Sequence, residues 1–302
     1  MAKYEIKDGV GIIPEGTIKI EENAFEDCVE ITSAIIPNSV REIGKYAFNG
    51  CTGLKSIFIP NSVTVFRFGA FNGCTGLTSI VIPDSVTEIG WEAFNGCTGL
   101  TSIVIPNSVT KIGTSAFYGC TGLTSIVIPD SVTKVSSSTF KGCSLTSIKV
   151  SEGNKKYDSR DNCNAIIDTE ANKLVVGCAT TVIPDSVTEI GGDAFNGRKS
   201  LTSIVIPDSV TEIEEGAFKG CTGLTSIVIP KSVKMSIEIF SNCTALETLT
   251  LGTGIKKIDA SNFEGVNLKV INVPAKKADF YKQRLPESLR SLIVELPAEK
   301  KK

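Results

Sequence analysis

A 23-residue repeat constrains the fold of this 302-residue chain more than any other feature of its sequence. Nine prolines mark the repeat: Pro14, Pro37, Pro60, Pro83, Pro106, Pro129, Pro184, Pro207 and Pro230. They are 23 residues apart within the first six and again within the last three, and a phenylalanine stands eleven residues after most of them. One unit of this length cannot bury its own apolar face, so the fixed period predicts repeats that stack on one another.

The copy at residues 83–105 shows how one repeat is expected to fold. The preceding segment "LTSIVI" alternates inward Ile80 and Ile82 with outward positions, which predicts a strand that Pro83 ends. The segment "SVTEI" adds a second short inward-pointing stretch, and "EAFNGC" predicts one helical turn closed by Gly96. Eight positions of the copy are expected to point inward: Val86, Ile89, Ala93, Phe94, Cys97, Leu100, Ile103 and Ile105.

A 23-residue period lies in the leucine-rich-repeat range, so the sequence predicts a right-handed leucine-rich-repeat solenoid of about ten turns. We expect a parallel β-sheet on one side, with short strands and helical turns on the other. Residues 1–274 are assigned to this single solenoid, and residues 275–302 to a C-terminal cap of one helix and one strand with the charged tail "EKKK". The solenoid is divided into an N-terminal cap at 1–13, six repeats at 14–151, an insertion at 152–183 and four repeats at 184–274.

The insertion contains two short apolar runs, "NAIID" and "KLVVG", joined by "TEAN", which predict a β-hairpin that projects from the solenoid. If Asp168 faces Lys173 across the turn, every residue i faces residue 341 minus i, and Cys163 then faces Cys178. Such a pair forms a disulfide if it occupies a non-hydrogen-bonded site, and otherwise two neighbouring buried thiols. The sequence leaves both alternatives open.

Composition argues against several classes of function. The chain has no histidine, which removes the commonest general base and the commonest metal ligand. A net charge of −2 provides no basic footprint for nucleic acid, and no apolar run is long enough to span a membrane. No phosphate-binding loop or nucleophile motif is present. We therefore expect neither enzymatic activity, nor a cofactor, nor a nucleic-acid partner.

Two further columns of residues follow the period. Seven cysteines share one place in the repeat: Cys28, Cys51, Cys74, Cys97, Cys120, Cys143 and Cys221. Parallel side chains about 4.8 Å apart are slightly too distant for disulfides, so these are expected to be free thiols that pack as small apolar groups. Arg198 takes the same place in one copy, which suggests that this place tolerates exit from the core.

The second column follows the prolines and consists of Asn38, Asn61, Asp84, Asn107, Asp130, Asp185 and Asp208. Such residues ordinarily bond the turn backbone. Because asparagines interrupt the carboxylates, a row of Ca²⁺ ions is the less favoured alternative.

The string "IPDSVTEIGWEAFNGCTGLTSIVIP" resembles the BspA-like leucine-rich repeats of bacterial surface proteins, which are also abundant in some parasitic protists. The resemblance covers residues 14–274. It departs from ordinary leucine-rich repeats at Ser85 and its equivalents, where the usual asparagine is missing. It implies surface exposure and adhesive binding to a protein or glycan macromolecule, and it supplies no catalytic residues.

Departures from the repeat give the candidate binding residues. The outward strand positions are monotonous Thr, Ser and Val, but Phe58 replaces a valine there. Phe68 and Trp91 share one place in successive repeats, Tyr46 is one place later in the copy before, and Arg67 is positioned for a cation–π contact. We expect the aromatic rings on adjacent turns to stack, either as an exposed binding patch or as a pair that covers the turns for stability.

Two functions fit these features: an adhesion or binding module, and a structural protein whose flat face or hairpin mediates self-association. The segment "MAKYEIKDGV" lacks the apolar core of a signal peptide, which leaves a cytoplasmic location open beside the cell surface or secretion that the resemblance suggests.

Overall fold

The computed structural model describes residues 2–298, and the tail predicted at 299–302 lies outside the described residues. The chain is a β-solenoid of about 13 turns with parallel sheets, which confirms the predicted fold class with a few more turns than expected. It divides into two compact units, Met1–Asp158 and Ser159–Lys302. The boundary between them falls inside the segment that the repeat pattern assigns to the insertion.

The first unit contains eleven short strands and the 3₁₀ helix Ser137–Phe140. The strands are β1 Glu5–Lys7, β2 Val10–Ile12, β3 Lys19–Ile20, β4 Ser33–Ile35, β5 Glu42–Ile43, β6 Val65–Phe66, β7 Glu88–Ile89, β8 Lys111–Ile112, β9 Ser125–Ile128, β10 Ser147–Val150 and β11 Tyr157–Asp158. The "SVTEI" segments supply β3, β5, β6, β7 and β8, which form one parallel sheet with partners 23 residues apart. The "LTSIVI" segments supply β9, and β10 pairs with it in parallel. The antiparallel pair β1–β2 begins the unit, and β2 pairs with β4.

Within residues 159–298, the second unit contains nine strands, one α-helix and three 3₁₀ helices. They are β12 Ala165–Asp168, β13 Lys173–Gly177, β14 Glu189–Ile190, β15 Glu212–Ile213, β16 Ser226–Ile229, β17 Lys234–Met235, β18 Thr248–Leu251, β19 Val270–Val273, β20 Ile293–Glu295, the helix α1 Ala278–Lys282 and the 3₁₀ helices Arg160–Asn162, Ala260–Phe263 and Glu287–Leu292. One sheet has the order β12-β13-β14-β15-β17, and the other has the order β16-β18-β19-β20. Apart from the antiparallel pair β12–β13, these neighbours are parallel.

A stack of phenylalanine rings forms the centre of each core. In the first unit the rings of Phe25, Phe48, Phe71, Phe94, Phe117 and Phe140 follow one another at centroid distances of 5.2–5.4 Å. In the second unit Phe195 stacks on Phe218 at 5.0 Å, and Phe218 on Phe240 at 6.2 Å. All these rings are fully buried. In the first unit this spacing is slightly larger than the distance of about 4.8 Å between neighbouring strands, so each turn adds one buried ring to the core.

The hairpin is part of the solenoid core, so the prediction that it projects is wrong. Its strand β13 pairs in parallel with β14 and thereby becomes one member of the sheet. The side chains of Ile166, Ile167, Leu174 and Val176 are fully buried. These apolar residues bury more surface as one turn of the stack than they would as an exposed hairpin, and the hydrophobic effect favours that arrangement.

The predicted hairpin register holds only near its turn. Asp168 pairs with Lys173 as expected, but the register shifts by one residue between Ile167 and Ile166, and Ala165 pairs with Gly177, one residue beyond the predicted partner. The extension of that register that places Cys163 opposite Cys178 is therefore wrong. A bulge inserts an unpaired residue in one strand, which a count along the sequence does not reveal.

The cysteine column is a row of hydrogen-bond donors as well as a packing element. Seven thiols each donate to a phenylalanine carbonyl of the turn before, with Sγ–O distances of 3.0–3.1 Å; the donors are Cys51, Cys74, Cys97, Cys120, Cys143, Cys221 and Cys243. Cys243 belongs to this column although the strict 23-residue count misses it, because the ninth copy is one residue short.

Arg198 stays inside the core, so the expectation that it leaves the cysteine place is wrong. Its side chain is only 2% exposed. Its Nε donates to the carbonyl oxygen of Gly177 at 2.9 Å, across the same interval between turns that the thiols bridge. A buried carbonyl requires a donor, and guanidinium supplies one as a thiol does.

Candidate functional site

Outward-facing side chains of the "LTSIVI" segments in the first unit form a column of apolar residues. In each "LTSIVI" segment, the residue between two buried positions points outward, and five successive turns place an apolar residue there. These residues, here called the apolar column, are Ile35, Phe58, Val81, Val104 and Val127, and they are 52–80% exposed. A parallel bridge joins Val81 to Val104. Contiguous exposed apolar side chains of this kind mark interaction surfaces.

The neighbours of the apolar column are short and uncharged. Thr78 and Ser79 precede Val81, and both are exposed, as are Thr101 and Ser102 in the next turn. These β-branched and hydroxyl side chains suit an extended backbone, which explains why the sequence repeats them. The resulting face has little relief, so it fits a partner that makes broad contact. The second unit presents a similar row at Val182, Val205 and Val228, 57–82% exposed.

Tyr46 and Phe68 form an aromatic pair on the turns of the first unit. Their rings pack edge to face with centroids 5.1 Å apart. The Lys45 ammonium lies 5.6 Å from the Tyr46 centroid and 5.8 Å from the Phe68 centroid, within cation–π range. Both rings are half-buried. The pair therefore covers the turns and offers only part of each ring to a partner.

Trp91 is 55% exposed and stands apart from that pair. Among residues 2–298 no ring contact joins it to Phe68, so the expected packing of rings on adjacent turns holds for Tyr46 and Phe68 but is wrong for Phe68 and Trp91. The indole leans onto the following turn, where Gly113 leaves room: a Cβ added at Gly113 would lie 2.6 Å from Trp91 Cδ1. Phe68 instead packs against Tyr46 of the preceding turn, so Phe68 and Trp91 contact turns on opposite sides of their own.

Arg67 binds a carboxylate rather than an aromatic ring, so the predicted cation–π role belongs to Lys45. Arg67 Nη2 lies 2.6 Å from Glu42 Oε2, and Lys19 Nζ lies 2.7 Å from Glu42 Oε1. The Glu42 side chain is 18% exposed. The hydrogen bond from Arg67, with a smaller contribution from Lys19, lowers the pKa of Glu42 below its ordinary value of 4.5.

Replacing Glu42 with glutamine is expected to lower the free energy of unfolding by about 1 kcal/mol at pH 7. Because the folded-state pKa is lowered, this contribution is present above pH 4.5 and is lost as the pH falls through the folded-state value. Urea unfolding of both proteins at pH 7 and pH 3 tests this. Glu22→Gln is the matched control, since Glu22 is 54% exposed and 3.6 Å from Lys45. An E42Q deficit that persists undiminished at pH 3 contradicts the ion-pair explanation.

The cysteine column carries no accessible nucleophile. Burial raises the pKa of Cys51 and of Cys97 to about 12, which keeps both thiols protonated at neutral pH. The structure has Cys163 and Cys178 as buried thiols, and Cys178 Sγ donates to the Asn164 carbonyl at 3.3 Å. The thiols of Cys51 and Cys97 are therefore not available as thiolates at neutral pH.

Titration with Ellman's reagent at pH 8 is expected to detect essentially no reactive thiol in the native protein, because the reagent requires an accessible thiolate. All ten cysteines should react after unfolding in guanidinium chloride without reductant. A stable value of eight, restored to ten by prior reduction, would instead reveal a disulfide and favour the Cys163–Cys178 alternative. Fast reaction in the native state would contradict the burial of the column.

The described residues contain neither a metal-binding cluster nor a membrane-spanning helix. Across residues 2–298, no three Asp, Glu or Cys side chains converge in a way that suits a metal ion. The column of asparagines and aspartates that follow the prolines is exposed, and Asp208 lies 3.8 Å from Lys231. No helix within this range has the length and apolarity needed to cross a bilayer.

The geometry agrees with a family of known repeats. Residues 11–101, 87–169 and 165–285 match the BspA type leucine-rich repeat region, in six copies. The chain belongs to the BspA-type leucine-rich repeat family. Proteins with leucine-rich repeats of this kind generally act as protein-binding scaffolds rather than as enzymes. The comparison with curated protein sequences gives no match.

Solved structures resemble the BspA-type chain over most of its length. A leucine-rich cell surface protein from Faecalibacterium prausnitzii is 27% identical with a TM-score of 0.64, covering 87% of this chain and 84% of the other. The pneumococcal vaccine antigen PcpA is 17% identical with a TM-score of 0.68, covering 98% and 96%. A leucine-rich repeat protein from Eubacterium ventriosum is 24% identical with a TM-score of 0.63, covering 88% and 74%. The last two show the fold alone.

Sequence reasoning missed two participants in the surface of this BspA-type protein. Lys45 supplies the cation beside the aromatic pair, and Gly113 provides the space that Trp91 occupies. The sequence did indicate the space at Gly113, because the glycine that follows "TEI" or its equivalent packs closely against the preceding turn. The direction in which each aromatic side chain leans had no signal in the sequence.

Proposed function

We propose that this BspA-type chain is a non-enzymatic binding scaffold at a bacterial cell surface, and that the apolar column is its main contact with a protein or glycan partner. The observation that carries the proposal is the exposure of five apolar side chains on one regular face. Phe58 is 75% exposed at the second turn of that row. Aromatic residues of this kind are enriched in binding hot spots. The F. prausnitzii relative, described as a cell surface protein, supports the location.

Trp91 provides a second contact in this proposal. It is exposed on the turns, outside the "LTSIVI" segments that carry the apolar column, and the repeat does not require it. The pair of Tyr46 and Phe68, with Arg67 bound to Glu42 beside it, forms the neighbouring surface. A partner that reaches both faces would gain specificity from Trp91 and contact area from the apolar column.

The test uses biolayer interferometry with immobilised fibronectin, fibrinogen, laminin, collagen and purified bacterial surface glycans. The column variant carries Phe58→Thr, Val81→Thr and Val104→Thr, which preserve strand propensity while removing apolar surface. We expect the wild-type chain to bind at least one probe and the column variant to lose about 2 kcal/mol or more of that binding. Trp91→Ser alone reports the contribution of the second contact.

The matched control carries Thr64→Ser, Thr87→Ser and Thr110→Ser, at exposed positions of the "SVTEI" segments; serine keeps the hydroxyl with which Thr64 and Thr110 donate to the turn before. It should bind as the wild type does. Equal binding by the column variant would refute the proposed contact surface. A chain that binds no probe but shows concentration-dependent mass by light scattering favours the self-associating structural protein, which the same apolar column supports.

A further inference from the structure

A cleft of about 590 Å³ lies within the second unit, and none of its lining residues belongs to the apolar column. One wall is the chain at residues 232–237, which includes β17. The other wall is formed by Gly254, Lys256, Lys257 and Asp259. The lining is mainly apolar, with Met235 buried and Ile237 40% exposed. Clefts of this size are typical of sites for small ligands and short peptide segments.

The cleft exists because the tenth repeat does not continue the sheet. Ile255 and Ile258 keep the two inward positions of "SVTEI" and are buried, but residues 255–258 form no strand. The C-terminal helix region holds this segment from its other side: Tyr281 Oη donates to the Gly252 carbonyl, and Arg284 Nε donates to the Lys256 carbonyl at 3.2 Å. A gap therefore opens where a further strand would pair.

That gap leaves β17 at the edge of its sheet. In the part of the chain that the structure describes, the order β12-β13-β14-β15-β17 ends there. The Lys234 N–H donates back to Thr211, and the Ser236 N–H to Ile213, so these bonds serve the preceding turn. The Ser236 carbonyl accepts a hydrogen bond from Asn262 Nδ2 at 3.1 Å. The Met235 peptide groups between them face the cleft, as alternation along a strand requires.

The charges on the cleft favour an anionic occupant. Within residues 2–298, neither Lys256 nor Lys257 forms an ion pair, and both are exposed. Lys234 contributes a third ammonium, which also contacts Glu212. The single lining carboxylate, Asp259, accepts hydrogen bonds from the N–H and hydroxyl of Ser261 at 3.0 and 2.8 Å, so it is engaged with its own turn.

We propose that this cleft binds an extended acidic peptide segment, which adds as a strand beside β17 and places its carboxylates against Lys256 and Lys257. Addition of a strand supplies main-chain hydrogen bonds at an edge, and alternate side chains then enter pockets. In the cleft, one face of such a peptide meets Met235 and Ile237, and its acidic side chains meet the lysines. This inference goes beyond the proposed function, since it concerns another surface and another class of partner.

The experiment measures fluorescence anisotropy of the full chain with a fluorescein-labelled peptide of alternating glutamate and leucine, five residues long. Two comparison peptides replace glutamate with glutamine, or carry N-methyl groups on alternate peptide nitrogens. We expect each change to weaken binding about tenfold, since one removes the charge and the other removes the main-chain donors. The variant Lys256→Glu with Lys257→Glu should weaken binding of the glutamate peptide by about tenfold or more, and added salt should weaken it in the wild type.

The matched control is Lys199→Glu with Lys276→Glu, which makes the same change of charge at exposed lysines outside the cleft. It should retain most of the binding, and so should the column variant, which separates this result from the proposed function. Binding that is insensitive to N-methylation, or that inorganic phosphate displaces at equal concentration, overturns strand addition. Equal loss in the two charge variants, or no binding to the wild type, overturns the site itself.

Discussion

Replacing Phe94 with alanine is expected to lower the free energy of unfolding by about 3–5 kcal/mol. The ring is fully buried and stacks on Phe71 and on Phe117, each at a centroid distance of 5.4 Å. Phe66 also meets it edge-on at 5.9 Å. Alanine removes contacts with three rings at once and leaves a cavity that two backbone-bonded turns cannot close. Urea unfolding followed by far-ultraviolet circular dichroism measures the loss.

Phe58→Ala is the matched control, because it deletes the same side chain from a position that is 75% exposed. It should change the free energy of unfolding by no more than about 0.5 kcal/mol. Phe94→Leu should fall between the two, since it keeps part of the buried volume. Similar free energies of unfolding for F94A and F58A would show that the stacked phenylalanine rings do not stabilise the core.

Arg198→Ala is expected to lower the free energy of unfolding by about 2–4 kcal/mol, the second largest effect. The side chain is 2% exposed, and its Nε bonds the Gly177 carbonyl at 2.9 Å. Alanine removes this charge-assisted hydrogen bond and most of the buried volume together. The same unfolding measurement, made at pH 7, tests the prediction.

Arg198→Cys separates the two contributions, since it restores the residue that other turns carry and its thiol can donate as Cys221 does to Phe195 at 3.1 Å. It should recover part of the stability that alanine loses. A loss below about 0.5 kcal/mol for R198A would show that the side chain behaves as a solvent-facing residue, as the repeat pattern alone suggests.

The repeat predicted the stacked core because each inward residue has a counterpart one period away. Phe94 and Cys97 illustrate this: both are buried at the place that the count assigns. The parallel sheet follows from the same regularity, since identical segments stack in register. Hydrophobic periodicity is the strongest signal that a single sequence carries, and here it recurs in almost every turn.

Residues that break the repeat were predicted less well, because their positions depend on contacts that the period does not encode. Arg198 is charged, yet a carbonyl of the preceding turn holds it inside. Trp91 departs from the residues that other copies carry at its place, which the sequence shows. The space over Gly113, into which its indole ring leans, is visible only in the structure. The hairpin pairs as predicted at Asp168, and its bulge and its entry into the sheet come from burial of Ile167 and Leu174.

The spacing of the turns determines in how many registers an extended partner can bind the apolar column. Side chains such as Val81 and Val104 repeat at the spacing of neighbouring strands, about 4.8 Å, whereas an extended partner repeats every 3.3 Å or so. Three residues of an extended partner therefore span about the same length as two turns of the solenoid. A partner shifted by that unit meets the same surface, so the column offers several equivalent registers, and Phe58 is the mark that distinguishes one of them.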